Sequence, residues 1–309
     1  MTMAWLDPAR EEFRNRLQSD RLAHAFLLSG QTGTGKQGLA MEMAAALLCL
    51  EKSLPACGSC RSCQLLASGA HPDFRILSFE LNDKGKLRSE IVIDQVRELI
   101  SFLQLTTTIS EKKVALVQPA EAMNKNAANA LLKTLEEPPG DAVILLLSHD
   151  PSRLAVTIRS RCQKLQVRSP DSETARAWLL ETGAFTEAEA ISALKAAAGS
   201  PFRARELLSE DGPDHYRLVS DTLESVLEGR CAPASAMSVL EDVEPVRLWT
   251  WLSLSAADRF RQNMDNHKIY ISLSQLQSTA DRNRALLSSP VRKDLLLRDW
   301  LIQWARLNA

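Results

Sequence analysis

The chain has no excess of charge of either sign: 37 lysines and arginines stand against 38 aspartates and glutamates in 309 residues. No global field is therefore available to hold nucleic acid, and any such contact has to come from a local patch or from neighbouring chains. Long apolar runs are lacking as well. The longest, Met43 to Leu50 and Ala142 to Leu147, fall far short of the roughly 20 residues that cross a bilayer. Met1 to Asp20 is charged and has no apolar core of the kind a signal peptide needs, so a cytoplasmic location without membrane contact is expected. There is no internal repeat and no low-complexity segment, and the length suits two or three domains.

The most informative segment that is present runs from Gly30 through Gln31, Thr32, Gly33, Thr34 and Gly35 to Lys36. A Gly-rich loop that opens a helix offers backbone N–H groups and a positive helix end to phosphates, with the lysine reaching the terminal ones. The flanks agree: His24 to Ser29 suits a buried parallel strand, and Gln37 to Leu50 is Ala-, Met- and Leu-rich with no breaker after Gly38. Position 37, however, holds Gln where a magnesium-ligating hydroxyl is needed, and an amide is a poor substitute. The expectation is a nucleotide fold able to hold the phosphates of ATP or ADP through Gly30, Thr32, Gly33, Thr34, Gly35 and Lys36 without hydrolysis.

Cys57, Cys60 and Cys63 form a Cys-x-x-Cys-x-x-Cys run with Cys49 eight residues upstream. Four thiolates this close suffice for a closed tetrahedral structural zinc, which leaves no position for a substrate. Pro55, Gly58, Ser59 and Ser62 make the segment loop-like, so that a metal would supply its order. An iron–sulfur reading is weaker, because the fourth cysteine followed by proline is missing downstream. His71 is an alternative to Cys49 as fourth ligand, although His71-Pro72-Asp73 reads more simply as a turn into the next strand. Cys162 and Cys231 stand alone, as packing residues do.

Beyond the loop, short apolar segments alternate with helical patterns. Phe74 to Phe79, Val114 to Val117, Val143 to Leu147 and Leu165 to Val167 read as strands; Ile93 to Leu105 and Asn124 to Glu137 read as amphipathic helices, the second stopped by Pro138-Pro139. This pattern implies an α/β domain with a parallel sheet covered on both faces, and sites at the carboxyl ends of its strands. After Ser169-Pro170 the strand signal disappears. Helical patterns broken at Gly183 and at Gly199-Ser200-Pro201 suggest a small helical domain, and Gly212-Pro213 opens a third, again helical, region. There Leu297, Trp300, Leu301 and Trp304 make one stripe, while Leu248, Trp249, Trp251 and Leu252 wrap most of a helix, a surface to be covered by the domain core or by another subunit.

Together, Gly30 to Lys36, the cysteine knuckle, Asn129 to Pro139 and Ser160-Arg161-Cys162 resemble the bacterial sliding-clamp loader subunits of the AAA+ superfamily, over about the first 210 residues. The resemblance implies a RecA-like nucleotide-binding domain with a zinc-binding insertion over 1–168, a helical lid over 169–210 and a helical oligomerisation collar over 211–309. It implies the gamma/tau and delta subunits as partners and, through the complex, the beta clamp and primer-template DNA, within the DNA polymerase III holoenzyme. In the hydrolysing subunits the strand matching Lys113 to Val117 ends in Asp-Glu, which hold magnesium and orient the attacking water. Here Gln118 and Pro119 follow, so no polymerase or ATPase activity is expected of this chain itself. Glu121 carries little weight as a replacement.

Ser160-Arg161-Cys162 is intact, and the family's arginine at this place completes the ATP site of the adjacent subunit as a finger in trans. That task suits a permanently charged planar donor. Arg153 and Arg159 read as surface charges; Arg203 and Ser148 only approximate the family's nucleotide-sensing positions. Two alternatives stand beside the non-hydrolysing assembly subunit. An active loader ATPase is opposed by Gln37, Gln118 and Pro119, and a zinc-stabilised DNA-binding module by balanced charge and the absence of interleaved basic and aromatic residues.

Overall fold

The computed structural model describes residues 3–19, 22–81, 88–183, 185–208, 212–262, 267–287 and 292–308. Two compact units divide at Asp171 and Ser172. The first contains α1 (Asp7–Gln18), β1 (Ala25–Ser29), α2 (Lys36–Leu48), α3 (Arg61–Ala67), β2 (Phe74–Leu77), α4 (Ile93–Gln104), β3 (Lys113–Val117), α5 (Lys125–Glu136), β4 (Ala142–Ser148), α6 (Val156–Arg161) and β5 (Gln163–Gln166). All the strand pairings are parallel, in the order β2-β3-β4-β1-β5.

Period-two alternation within the apolar strands distributes their side chains between two cores. Phe26 and Leu28, Val114 and Leu116, and Val143, Leu145 and Leu147 pack against Phe13 of α1 and Leu39, Met43 and Leu47 of α2. Ala25 and Leu27, Ala115 and Val117, and Ile144 and Leu146 pack against Val96 and Leu99 of α4, Leu131 and Leu135 of α5 and Ile158 of α6. A strand buried on both faces is apolar throughout, which is why β3 and β4 read as unbroken runs. Asn124 starts α5, its Oδ1 accepting from the Ala127 N–H at 2.9 Å.

Three boundaries differ from the sequence reading by two residues, the others by one at most. β2 ends at Leu77 rather than Phe79; it is an edge strand, and Arg75 and Ile76 are exposed. β5 begins at the polar Gln163, again at an edge. α2 stops at Leu48, and extended backbone at Cys49 turns that thiol out of the helix. The cysteine segment itself is not all loop, since Ser62 and Cys63 belong to α3.

The second unit is helical throughout its described residues: α7 (Ser172–Thr182), α8 (Glu187–Ala196), α9 (Pro201–Leu208), α10 (Gly212–Leu227), α11 (Pro233–Val239), α12 (Pro245–Gln262), α13 (His267–Leu286) and α14 (Lys293–Ala305). Leu248, Trp249, Trp251 and Leu252 are all buried within this unit, as are Trp300, Leu301 and Trp304, while Leu297 is half-buried. The tryptophan-rich faces thus serve the chain's own core, and no second subunit is needed to cover them. Three indole N–H groups find backbone carbonyls inside it: Trp251 donates to Ala196 at 2.9 Å, Trp300 to Leu276 at 3.0 Å and Trp304 to Leu223 at 2.9 Å.

Candidate functional site

The phosphate loop stands at the carboxyl end of β1. Gly33 (φ 73°) and Gly35 (φ 89°) take left-handed backbone that L side chains adopt only at a cost. Gly30 is required for space, since a Cβ there would lie 2.2 Å from the Val167 carbonyl oxygen. Thr34 is buried, its hydroxyl donating to the Gln31 carbonyl at 2.9 Å and its own carbonyl accepting from the Trp5 indole at 2.8 Å. Lys36 is only 3 % exposed. Its ammonium donates to the carbonyls of Gly30 (2.7 Å) and Gln31 (2.5 Å), partners that phosphate oxygens would replace. Burial draws this ammonium down to about 8, the Glu121 charge opposing the shift. Thr32 and Gln37 are exposed.

The rest of the loop's surroundings lack catalytic carboxylates at the expected place. Gln118, directly after β3, gives its backbone N–H to Leu77. Glu121 does return to the carboxyl edge of the sheet, but its Oε1 accepts from the backbone N–H groups of His149 (2.9 Å) and Asp150 (3.3 Å) and so ties the turn after β3 to the end of β4. Nothing in sequence spacing signals that contact. Ser148, beside Ser29 in the sheet register, has a buried hydroxyl without a partner. Arg203 lies in the second unit, half-buried; burial lowers its guanidinium from the ordinary value, and the charges of Arg284 and Arg247 add to this.

The four cysteines of the knuckle converge. The sulfurs of Cys49, Cys57, Cys60 and Cys63 all lie within 4.8 Å of one another, and this group could hold a metal ion. Cys57 and Cys63 are 3.9 Å apart; a tetrahedron with metal–sulfur bonds of about 2.3 Å has edges of about 3.8 Å, so the donor set fits with little movement. Backbone N–H groups already point at the sulfurs, from Cys57 to Cys49 (3.5 Å), Cys60 to Cys57 (3.3 Å) and Cys63 to Cys60 (3.5 Å). Burial alone would raise the Cys49 thiol, but these and neighbouring donors hold it at about 6, whereas burial pushes Cys63 up to about 12. Cys162 is a core residue, its thiol raised to about 12 by burial. Cys231 is half-buried in the second unit.

His71 is not a fourth ligand. Its Nδ1 accepts from the Asp73 N–H at 3.0 Å, which leaves the ring proton on Nε2 to reach Ser62 Oγ at 2.8 Å. Ser62 and Ser110 in turn both donate to the Leu48 carbonyl, at 2.7 and 2.8 Å. This buried network clamps the residues just before Cys49 and Cys63. Beneath it, Asp73 accepts from Thr108, Ile109 and Ser110 N–H groups and from Lys113 Nζ. The turn at His71-Pro72-Asp73 is as the sequence suggests; the network it carries is not visible there.

Arg161 ends α6. Its NH1 donates to the Thr157 carbonyl at 3.0 Å and its NH2 pairs with Glu136 Oε1 at 2.5 Å. Val156, on the same short helix, is 69 % exposed. Parallel register locates this group relative to the phosphate loop: Phe26 pairs with Gln163 and Ser29 with Gln166. Gly30 follows one end of that stretch and Arg161 precedes the other, separated by three strand residues, about 10 Å, plus the flanking turns. His24, just before β1, contacts the Leu135 carbonyl at 2.7 Å and confirms that the end of α5 lies at the amino edge of the sheet. Arg161 and the loop therefore stand at opposite ends of the sheet.

No helix among the described residues is long and apolar enough to cross a membrane. Comparison with known proteins agrees with the geometry. The family described as DNA polymerase III, delta subunit, matches residues 6–171. DNA polymerase III subunit delta' of Pseudomonas aeruginosa is 37 % identical over 287 residues, covering 91 % of this chain and 84 % of that one. DNA polymerase III subunit tau/gamma of Haemophilus influenzae is 32 % identical over 192 residues, 60 % of this chain and 27 % of that one. A solved gamma-subunit-related protein of Thermotoga maritima shares the fold, with a TM-score of 0.53 and 17 % identity over 96 % of this chain and 99 % of that one. An α/β unit with this loop, followed by a helical unit, is the fold shared with that solved protein, and the chain belongs to the delta' family of DNA polymerase III subunits.

Proposed function

We propose that this chain is a non-hydrolysing subunit of the clamp loader that donates Arg161 to the ATP site of an adjacent subunit, so that the complex can place the beta clamp on primed DNA. The observation that carries this reading is the separation of Arg161 from the chain's own phosphate loop across the sheet. A guanidinium at the amino edge cannot serve a nucleotide held at the carboxyl edge of the same sheet, whereas it can serve one held by a neighbour. Exposed Val156 on the same helix is an apolar group suited to such a contact. Gln37 and Gln118 remove the hydroxyl and carboxylate that magnesium needs, so a nucleotide on Gly30 to Lys36 would be held and not turned over.

The gamma/tau and delta subunits are the neighbours this reading requires, with 169–210 as lid and 211–309 as collar. In the knuckle, Cys49, Cys57, Cys60 and Cys63 would hold one zinc. Four thiolates leave it no open position, so its contribution is the folding of a segment with little core of its own. The test is a loader reconstituted with Arg161→Ala, using Arg153→Ala as control. Arg161→Ala should leave the complex assembled and slow DNA-stimulated ATP hydrolysis and clamp loading, with a loss on the order of a thousandfold at the affected site and less in the whole complex. Lysine at this position should not rescue, having no planar fork. Equal clamp loading by the Arg161 and Arg153 variants would refute the assignment.

A further inference from the structure

Glu136 is the last residue of α5 and Arg161 the last of α6, and their side chains meet at 2.5 Å. Both are partly open to solvent, the arginine 35 % and the glutamate 50 % exposed. Ion pairs at such exposure contribute little to stability because two long side chains must be immobilised. This one joins two anchored helix ends. Leu131 and Leu135 fix α5 in the core, and Ile158 and Cys162 do the same on either side of Arg161. The guanidinium has five N–H donors in a rigid plane. One goes to the Thr157 carbonyl and one to Glu136, which fixes the plane while leaving three for an acceptor outside the chain.

We infer that Glu136 is a positioning residue, orienting the Arg161 guanidinium before a neighbouring subunit's nucleotide arrives. The inference rests on the finger reading of Arg161 and deepens it. A free arginine side chain samples many rotamers, and each must be given up when it engages the transition state. A guanidinium already held by Glu136 and Thr157 has lost most of that freedom on folding. The carboxylate also reduces the net positive charge at the site, so the arrangement favours direction over charge. A hydrogen-bonding amide should keep most of the effect, and a methyl group should lose it.

The experiment uses the reconstituted loader carrying Glu136→Ala, Glu136→Gln, Arg161→Ala or the Glu136→Ala/Arg161→Ala pair, with assembly followed by native mass spectrometry. Glu136→Ala should lower kcat for DNA-stimulated hydrolysis about tenfold at the affected site, with KM for ATP and subunit stoichiometry unchanged. Glu136→Gln should retain most of the wild-type rate. In the Arg161→Ala background Glu136→Ala should add no further loss, the signature of a residue that acts only through its partner. A wild-type or faster rate for Glu136→Ala, an equal loss for the Gln and Ala variants, or a loss that persists without Arg161 would overturn the positioning role. If Arg161→Ala is impaired and Glu136→Ala is not, only this inference fails. If Arg161→Ala hydrolyses like wild type, the finger reading fails and the positioning role with it.

Discussion

Replacing Asp73 by Ala should be among the most damaging single changes in the first unit. Its carboxylate has no solvent exposure and accepts from the backbone N–H groups of Thr108 (2.8 Å), Ile109 (2.8 Å) and Ser110 (2.9 Å), and from Lys113 Nζ at 3.2 Å. The lysine is itself 4 % exposed. Removing one partner of a buried ion pair costs about 3–5 kcal/mol because the other charge is left behind. The ring of Phe102, 4.4 Å from that ammonium, offsets part of this, about 1 kcal/mol, but the orphaned N–H donors cost about 1–3 kcal/mol more. The net loss should be about 3–7 kcal/mol, a large share of the 5–15 kcal/mol typical of a domain.

Asp73→Asn, which keeps the shape and loses the charge, should cost about half as much. Urea unfolding followed by far-UV circular dichroism, with amide exchange at Thr108, Ile109 and Ser110 as the local probe, measures both. Burial alone would raise the Asp73 carboxyl, but the three backbone donors and Lys113 outweigh it and hold the group below its ordinary value. Its contribution is therefore complete above the unfolded value of about 3.9 and is lost as pH falls through the lower folded value. Wild-type and Asp73→Ala stabilities should converge only in strong acid. A loss under about 1 kcal/mol at neutral pH, with unchanged exchange at the three amides, would refute the clamp.

At the knuckle, Cys60→Ser should abolish retention of one equivalent of metal and lower the melting temperature of the first unit. The near-ultraviolet signal of the tryptophans in the second unit should persist, which differential spectroscopy during heating would check. In the loop, Gly30→Ala sets a methyl 2.2 Å from the Val167 carbonyl oxygen and should cost about 1–3 kcal/mol, read as a lower urea midpoint; an unchanged midpoint would mean that the turn after β5 yields easily.

Legibility in the sequence followed the range of the interactions. β1, β3 and β4 were readable because a central parallel strand must be apolar on both faces, and α5 because Asn124 and Pro138 mark its ends. The edge strands are less legible at their boundaries, since Arg75, Ile76, Gln163 and Lys164 answer to solvent as much as to the sheet. The cysteines were readable as a cluster from spacing alone. His71, offered as a substitute ligand, is instead committed to Ser62 and to the Asp73 N–H, contacts set by the packing of α2, α3 and the segment before β3. The wide tryptophan face of α12 is equally ambiguous in the sequence alone, because what covers it is set by packing. Glu136 and Arg161 are 25 positions apart, and only the meeting of two helix ends pairs them.

A parallel sheet has two unlike ends, and here one carries the phosphate loop and the other Arg161. If successive subunits meet by the same contact, each receives at one end and gives at the other, and the series acquires a direction. A member able to give but not to turn over what it receives interrupts that series at a defined place. Two amides, Gln37 and Gln118, would then do more than silence a reaction: they would break the rotational equivalence of the assembly and supply a fixed origin from which its remaining sites can be ordered.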